Sequence, residues 1–167
     1  MTALRGQGLS DEALDDAFER YQREHHALAM AVERGDADEV DRALADGADP
    51  HSVDTLGSPV LHIAAALGHV EIMRLLIDSG ADVNLRDEFM GTALILAANG
   101  ADRAAVELLL ERGADPTMRN DLGESAEDRA DRTPYGDPSL VPLLRDAAAR
   151  RSGERPVTGP RSPADDR

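Results

Sequence analysis

Five histidines, His25, His26, His51, His62 and His69, and 33 acidic side chains are the residues of this 167-residue sequence that could do chemistry. A helical metal site needs ligands at i, i+4, and no histidine pair has that spacing. His25 and His26 are adjacent and diverge by about 100° on a helix, which disfavours joint chelation. Carboxylate pairs such as Asp15-Asp16, Asp36 with Asp38 and Asp165-Asp166 are what so acidic a composition produces anyway. The glycines form neither GxGxxG nor GxxxxGK[ST], and lysine is absent from the sequence. The G-x-S-x-G elbow fails in its last place at Gly123-Glu124-Ser125-Ala126-Glu127. Without cysteine there is neither a thiolate metal site nor a disulfide. The expectation is a protein with no catalytic residues, no metal and no cofactor. A carboxylate-based metal-dependent hydrolase is the competing class, and it requires three or more carboxylates or histidines to converge in the fold.

What does repeat is structural. Gly-Ala-Asp occurs at Gly47-Ala48-Asp49, Gly80-Ala81-Asp82 and Gly113-Ala114-Asp115, both intervals being 33 residues. A fixed period of that length signals stacked units, each burying its apolar face only against its neighbours. With no Trp, 2 Phe and 2 Tyr, the core must come from Leu, Ile, Val and Ala, which suits thin, closely packed helices. The Asp after each Gly-Ala has a sufficient structural role just past a helix stop.

The best-formed copy runs from Asp54 to Arg86. Ser58 reads as an N-cap and Pro59 as the first helical residue, where its missing N–H costs nothing. Leu61, Ala64 and Ala65 form the inner stripe, and Gly68 stops the first helix. A second helix over 70–78 buries Ile72, Leu75 and Leu76, and Gly80 supplies the left-handed residue that ends it. The copy before it, HHALAMAVERGDADEVDRALADGADP, lacks a loop of its own. In the copy after it Thr92 caps the helix, but Met90 stands where Gly57 and Gly123 stand in the neighbours, so that loop is expected to be distorted. The last copy places Glu127 and Asp128 where Leu94 and Ile95 stood, as a polar end cap requires. The insert DRTPYGDPS then lengthens its turn before a helix with Leu140, Leu143 and Leu144, in which Pro142 fits only the first turn. Upstream, Ser10 caps a helix whose Leu14, Ala17, Phe18 and Tyr21 share one stripe.

Leu61-His62-Ile63-Ala64-Ala65, Gly68-His69, Leu75-Leu76 and Gly80-Ala81-Asp82-Val83-Asn84 together resemble the ankyrin repeat. The likeness covers Tyr21 to Ala130, three full units and part of a fourth. It departs in the Thr-Pro pair, which is Pro59-Val60, Thr92-Ala93 and Ser125-Ala126 here. The resemblance implies an all-α ankyrin solenoid of antiparallel helix pairs with projecting finger loops. The organisation expected is a disordered stretch 1–9, a helix 10–24, repeats of about 21–53, 54–86 and 87–119, a cap 120–150, and a disordered tail 151–167. It also implies that His62 and His69 hydrogen-bond loop and turn.

In proteins similar to this one, partners bind the concave side formed by fingertips and first helices. Carried over by position, that implies Thr55, Leu56, Ser58, Ala66, Leu67 and Arg86 in the central unit. In the next unit it implies Glu88, Phe89, Gly91, Asn99, Gly100 and Arg119, and in the last Asp121, Leu122 and Glu124. Leu56, Phe89 and Leu122 hold equivalent fingertip places 33 residues apart, a row of apolar side chains that the framework does not require. Either the row is exposed for a partner, or each side chain folds down onto its neighbouring finger.

The net charge of −15 repels nucleic acid and anionic membranes. No stretch approaches the roughly 18 apolar residues of a membrane span, and the first residues lack the apolar run of a signal peptide. The reading is therefore a monomeric cytoplasmic module that binds a protein partner; the acidity either serves solubility, as such compositions commonly do, or draws a basic partner. The alternative is an acidic inhibitor or immunity-type protein that neutralises a basic target.

Overall fold

The computed structural model describes residues 26–132 and 136–153. The stretch 1–9, the helix expected over 10–24 and residues 154–167 of the expected tail lie outside the described residues. The chain is helical over 26–34, here α1. Seven helices follow: α2 (Ala37–Ala45), α3 (Val60–Leu67), α4 (Val70–Asp78), α5 (Ala93–Asn99), α6 (Arg103–Glu111), α7 (Ala126–Arg132) and α8 (Val141–Ser152). A 3-10 turn, Pro138–Leu140, precedes α8. Among the described residues the only β-pairing is an isolated antiparallel bridge from Val53 to Pro59.

The helices stack in two rows. In the inner row α3 packs on α5 and α5 on α7; in the outer row α2 packs on α4 and α4 on α6. Alanine makes the inner row thin: Ala64, Ala65, Ala97, Ala98 and Ala130 are buried on helices whose larger buried side chains include Leu61 and Leu94. Ile72, Met73, Leu76, Leu108 and Leu109 seal the outer row, with Leu75 only half-buried. This is the stacked all-α array that the 33-residue period implies.

Local chemistry sets the helix ends. Thr92 caps α5, its hydroxyl accepting from the Ile95 amide at 3.4 Å, while Asp36 and Asp102 cap α2 and α6 in the same way at 3.0 Å. Ser125 and Asp128 form a capping box on α7: the Asp128 carboxylate accepts from Ser125 N–H and Oγ–H, and the Asp128 amide donates back to Oγ. Ser58 is not the cap expected of it. The α3 helix begins at Val60 behind an extended Pro59 that makes no side-chain cap. Ser58 is already committed to the finger, donating its amide to Asp54 Oδ1 at 2.8 Å and accepting from the Asp54 amide at 3.0 Å. The α8 helix runs to Ser152 and ends on left-handed Gly153, two residues past the boundary expected at 150.

The finger of the third unit is not distorted. Its closing bonds, Asp87 N–H to the Gly91 carbonyl and Met90 N–H to the Asp87 carbonyl, are both 3.0 Å, matching those of the fingers at Asp54 and Asn120. Met90 achieves this by adopting φ +59 where its neighbours have glycine, and Ala101 does the same at φ +57 in the helix-to-helix turn. A left-handed non-glycine residue stores on the order of 1–3 kcal/mol of strain, more than the 0.5–1 kcal/mol or so that a glycine adds in chain entropy. Met90→Gly and Ala101→Gly are each expected to raise the unfolding free energy by about 1 kcal/mol in urea titrations. A loss of stability at Met90 would mean that its half-exposed side chain holds more contacts than its strain costs.

Candidate functional site

Each finger is held by one carboxylate or amide at its base. Asp54 Oδ1 accepts from the amides of Leu56 and Ser58, both at 2.8 Å. Asp87 Oδ1 accepts from Phe89 and Gly91 at 2.9 and 2.8 Å, and Asn120 Oδ1 from Leu122 and Glu124 at 3.1 and 2.9 Å. These Asx turns satisfy two amides of each tip from within its own finger. Adjacent fingers are also joined: the Asp121 amide donates to the Phe89 carbonyl at 3.0 Å.

The apolar row therefore stands in solvent. Leu56 is 78%, Phe89 61% and Leu122 70% exposed, so these side chains do not fold down onto neighbouring fingers. Between the third and fourth fingers Phe89 and Leu122 line a cleft of about 390 Å3, together with Ile95 and Leu96 of α5, Asn99, Asp121 and Arg129. A second cleft, about 650 Å3, lies between α6 and α8, lined by Leu110, Ala114, Leu143 and Ala147 with charged Glu107, Asp146 and Arg150.

Of the residues expected to face a partner, Thr55, Leu56, Ala66, Leu67, Arg86, Glu88, Phe89, Gly100, Asp121 and Leu122 are exposed, and Asn99 is half-buried at the end of α5. Phe89, Asn99, Asp121 and Leu122 converge on the 390 Å3 cleft; Thr55, Leu56, Ala66, Leu67 and Arg86 lie outside it. Four others are engaged within the chain. Gly91 is buried, its carbonyl 3.2 Å from His62 Nε2. Ser58 is half-buried in the base of its finger. Arg119 is exposed but bonded within the chain: its guanidinium donates to the Gly123 carbonyl at 2.6 Å and pairs with Asp128 at 2.8 Å. Glu124 likewise pairs with Arg129 at 2.9 Å. The staples Asp54, Asp87 and Asn120 and the floor residues Ile95 and Leu96 escaped the sequence reading, although the staples also recur every 33 residues.

His62 has the loop bond expected of it and ties α3 to the next finger. His69 does not: it occupies the N-cap place of α4 without a side-chain cap, and its ring lies over the turn at Gly35 instead. Burial pushes the His62 pKa down, against the opposing pull of the Gly91 carbonyl, the Asp87 charge and the Leu85 carbonyl. Below the ordinary histidine value, about 6.5, the unfolded chain binds a proton that folded His62 refuses. His62 thus contributes stability that is fully present above that value and is lost as pH falls through it towards the folded pKa. The urea midpoint is expected to fall as pH drops below about 6.5, and His62→Gln to make that fall shallower. An unchanged slope in His62→Gln would count against a neutral, buried imidazole.

Among the described residues no group of three or more His, Cys, Asp or Glu is placed to hold a metal ion, and no helix is long and apolar enough to cross a membrane. Helix pairs stacked in register, with stapled loops along one edge, define a helical repeat solenoid. The chain belongs to the ankyrin-repeat family: the family model described as "Ankyrin repeats (3 copies)" matches residues 28–120. Such repeats are generally non-catalytic modules that mediate protein–protein interaction. Similar proteins include Potassium channel KOR1 of Oryza sativa subsp. japonica, 48% identical over 62 residues, which are 37% of this chain and 7% of the channel. Ankyrin repeat domain-containing protein 35 of Homo sapiens is 39% identical over 74 residues, 43% of this chain and 7% of that protein. Protein PhlB of Serratia liquefaciens is 36% identical over 86 residues, 51% of this chain and 38% of its own length. The chain thus matches from 7% to 38% of these relatives.

Proposed function

We propose that this chain is a protein-binding module whose partner seats on the face made by the fingertips and the inner helices, with Leu56, Phe89 and Leu122 as its principal contacts. The observation that carries the reading is the exposure of those three apolar tips on loops already stapled by Asp54, Asp87 and Asn120. Tips whose amides are satisfied internally lose little conformational freedom on binding, so burying them yields more net affinity. Thr55, Ala66, Leu67, Arg86, Glu88 and Asn99 extend the surface, while Ser58 and Arg119 brace it through bonds within the chain. The module acts as a monomer in the cytoplasm, without cofactor, nucleic acid or membrane contact.

The test is affinity capture from the native host with the full chain and with the Leu56→Ser, Phe89→Ser, Leu122→Ser triple variant as baits, read by mass spectrometry. A protein retained by the first bait and lost from the second supports the reading; identical captures sink it. A net charge of −15 favours a second reading, an acidic inhibitor that works by overall charge. Binding by overall charge falls steeply with salt and ignores the tip substitutions.

A further inference from the structure

We infer that the partner segment entering the cleft between Phe89 and Leu122 is cationic: one large apolar side chain seated over Leu96, with arginine or lysine beside it. The inference rests on the binding face proposed above and adds its chemistry. The cleft has apolar walls, Phe89 and Leu122, and an apolar floor, Ile95 and Leu96, and at about 390 Å3 it suits a single anchor. The residue before each wall is acidic and exposed, Glu88 before Phe89 and Asp121 before Leu122. Among the described residues neither carboxylate has a charged partner within the chain. Arg119 is held by Asp128 and the Gly123 carbonyl, and Arg129, which lines the cleft, is held by Glu124.

An anchor that fills the slot removes water from beside Asp121, which lines it, while Glu88 stands next in sequence to the Phe89 wall. A carboxylate desolvated without a counter-charge is penalised, so a neutral or acidic partner gives back much of what the apolar contact contributes. An arginine next to the anchor removes the penalty, and its planar guanidinium can also lie on the exposed Phe89 ring. Apolar slot and unpaired carboxylates thus select the same occupant, which is more than overall acidity would select.

The experiment pans short random peptides displayed on phage against the full-length chain. Synthetic copies of the winners are then measured by fluorescence anisotropy on wild type and on two exposed-site variants, Leu122→Ser and Glu88→Gln with Asp121→Asn, whose folding is verified by thermal melts. The expected result is enrichment of Trp, Phe or Leu with Arg or Lys within two positions. Leu122→Ser should weaken these peptides at least about tenfold, and the carboxylate variant about fivefold with a shallower salt dependence. Winners with no basic excess that still depend on Leu122 overturn the cationic occupant and leave the binding face standing. Winners indifferent to Leu122→Ser overturn both. Equal binding after the peptide's anchor is changed to alanine reduces the effect to diffuse attraction and overturns the inference, as does a failure to enrich any peptide.

Discussion

Leu94→Ala is expected to lower the unfolding free energy by about 3 kcal/mol, while Leu122→Ala, the same chemical change, costs less than about 0.5 kcal/mol. Leu94 is 1% exposed and Leu122 is 70% exposed. Truncating Leu94 removes buried methyl groups and leaves a cavity that alanine-rich neighbours on stiff helices cannot collapse to fill. Position matters as much as burial, because α5 packs on both α3 and α7. In a stacked array stability is the sum of unit terms and nearest-neighbour interfaces, so damage in α5 weakens two interfaces together. Urea unfolding followed by circular dichroism should give a lower midpoint for Leu94→Ala. A broadened transition is also expected as the units either side uncouple. A cost below about 1 kcal/mol would mean that the α3–α5–α7 row is not the centre of the core.

Period and punctuation made the framework readable. Val70–Asp78 and its left-handed Gly80 fall where a 33-residue repeat with a glycine stop puts them, because the helix ends are decided by residues within a few positions. The errors occur where one residue has two possible jobs. Ser58 has the chemistry of an N-cap, yet Pro59 is extended and bridged to Val53, so α3 starts at Val60, one residue too late for Ser58 to cap it. Met90 looks like a broken turn, but three flanking hydrogen bonds and the fixed spacing of α3 and α5 hold it in a strained conformation instead. Arg119 falls at a place that the resemblance gives to a partner, and its own contacts with Gly123 and Asp128 are made only by the fold of the last unit. At the end of α8, Pro- and Gly-rich composition hid a sound local stop at Gly153. For the site, the fingertip row was legible as a spacing of 33; its exposure was not, since that depends on how the finger stands on its staple.

Phe89→Ala is expected to weaken binding to the natural protein partner by about 2 kcal/mol, roughly thirtyfold, with a melting temperature close to wild type. The two halves of this prediction come from one fact, the 61% exposure of the ring. A side chain that is mostly in water contributes little to folding, and it can give up its largest apolar area only to something outside the chain. Phe89 is also the middle rung, flanked by Leu56 and Leu122. An anchor at the centre of a contact is the one its neighbours shield from water. The finger itself should survive the change, because its closing bonds are made by Asp87, Gly91 and the Met90 amide. Titration calorimetry with the captured partner measures the first half, and differential scanning calorimetry the second. A marked fall in melting temperature with unchanged affinity would place Phe89 in the folding of the array and remove it from the binding face. A loss at Phe89 with none at Leu56 would confine that face to the third and fourth fingers, where the cleft over Leu96 lies.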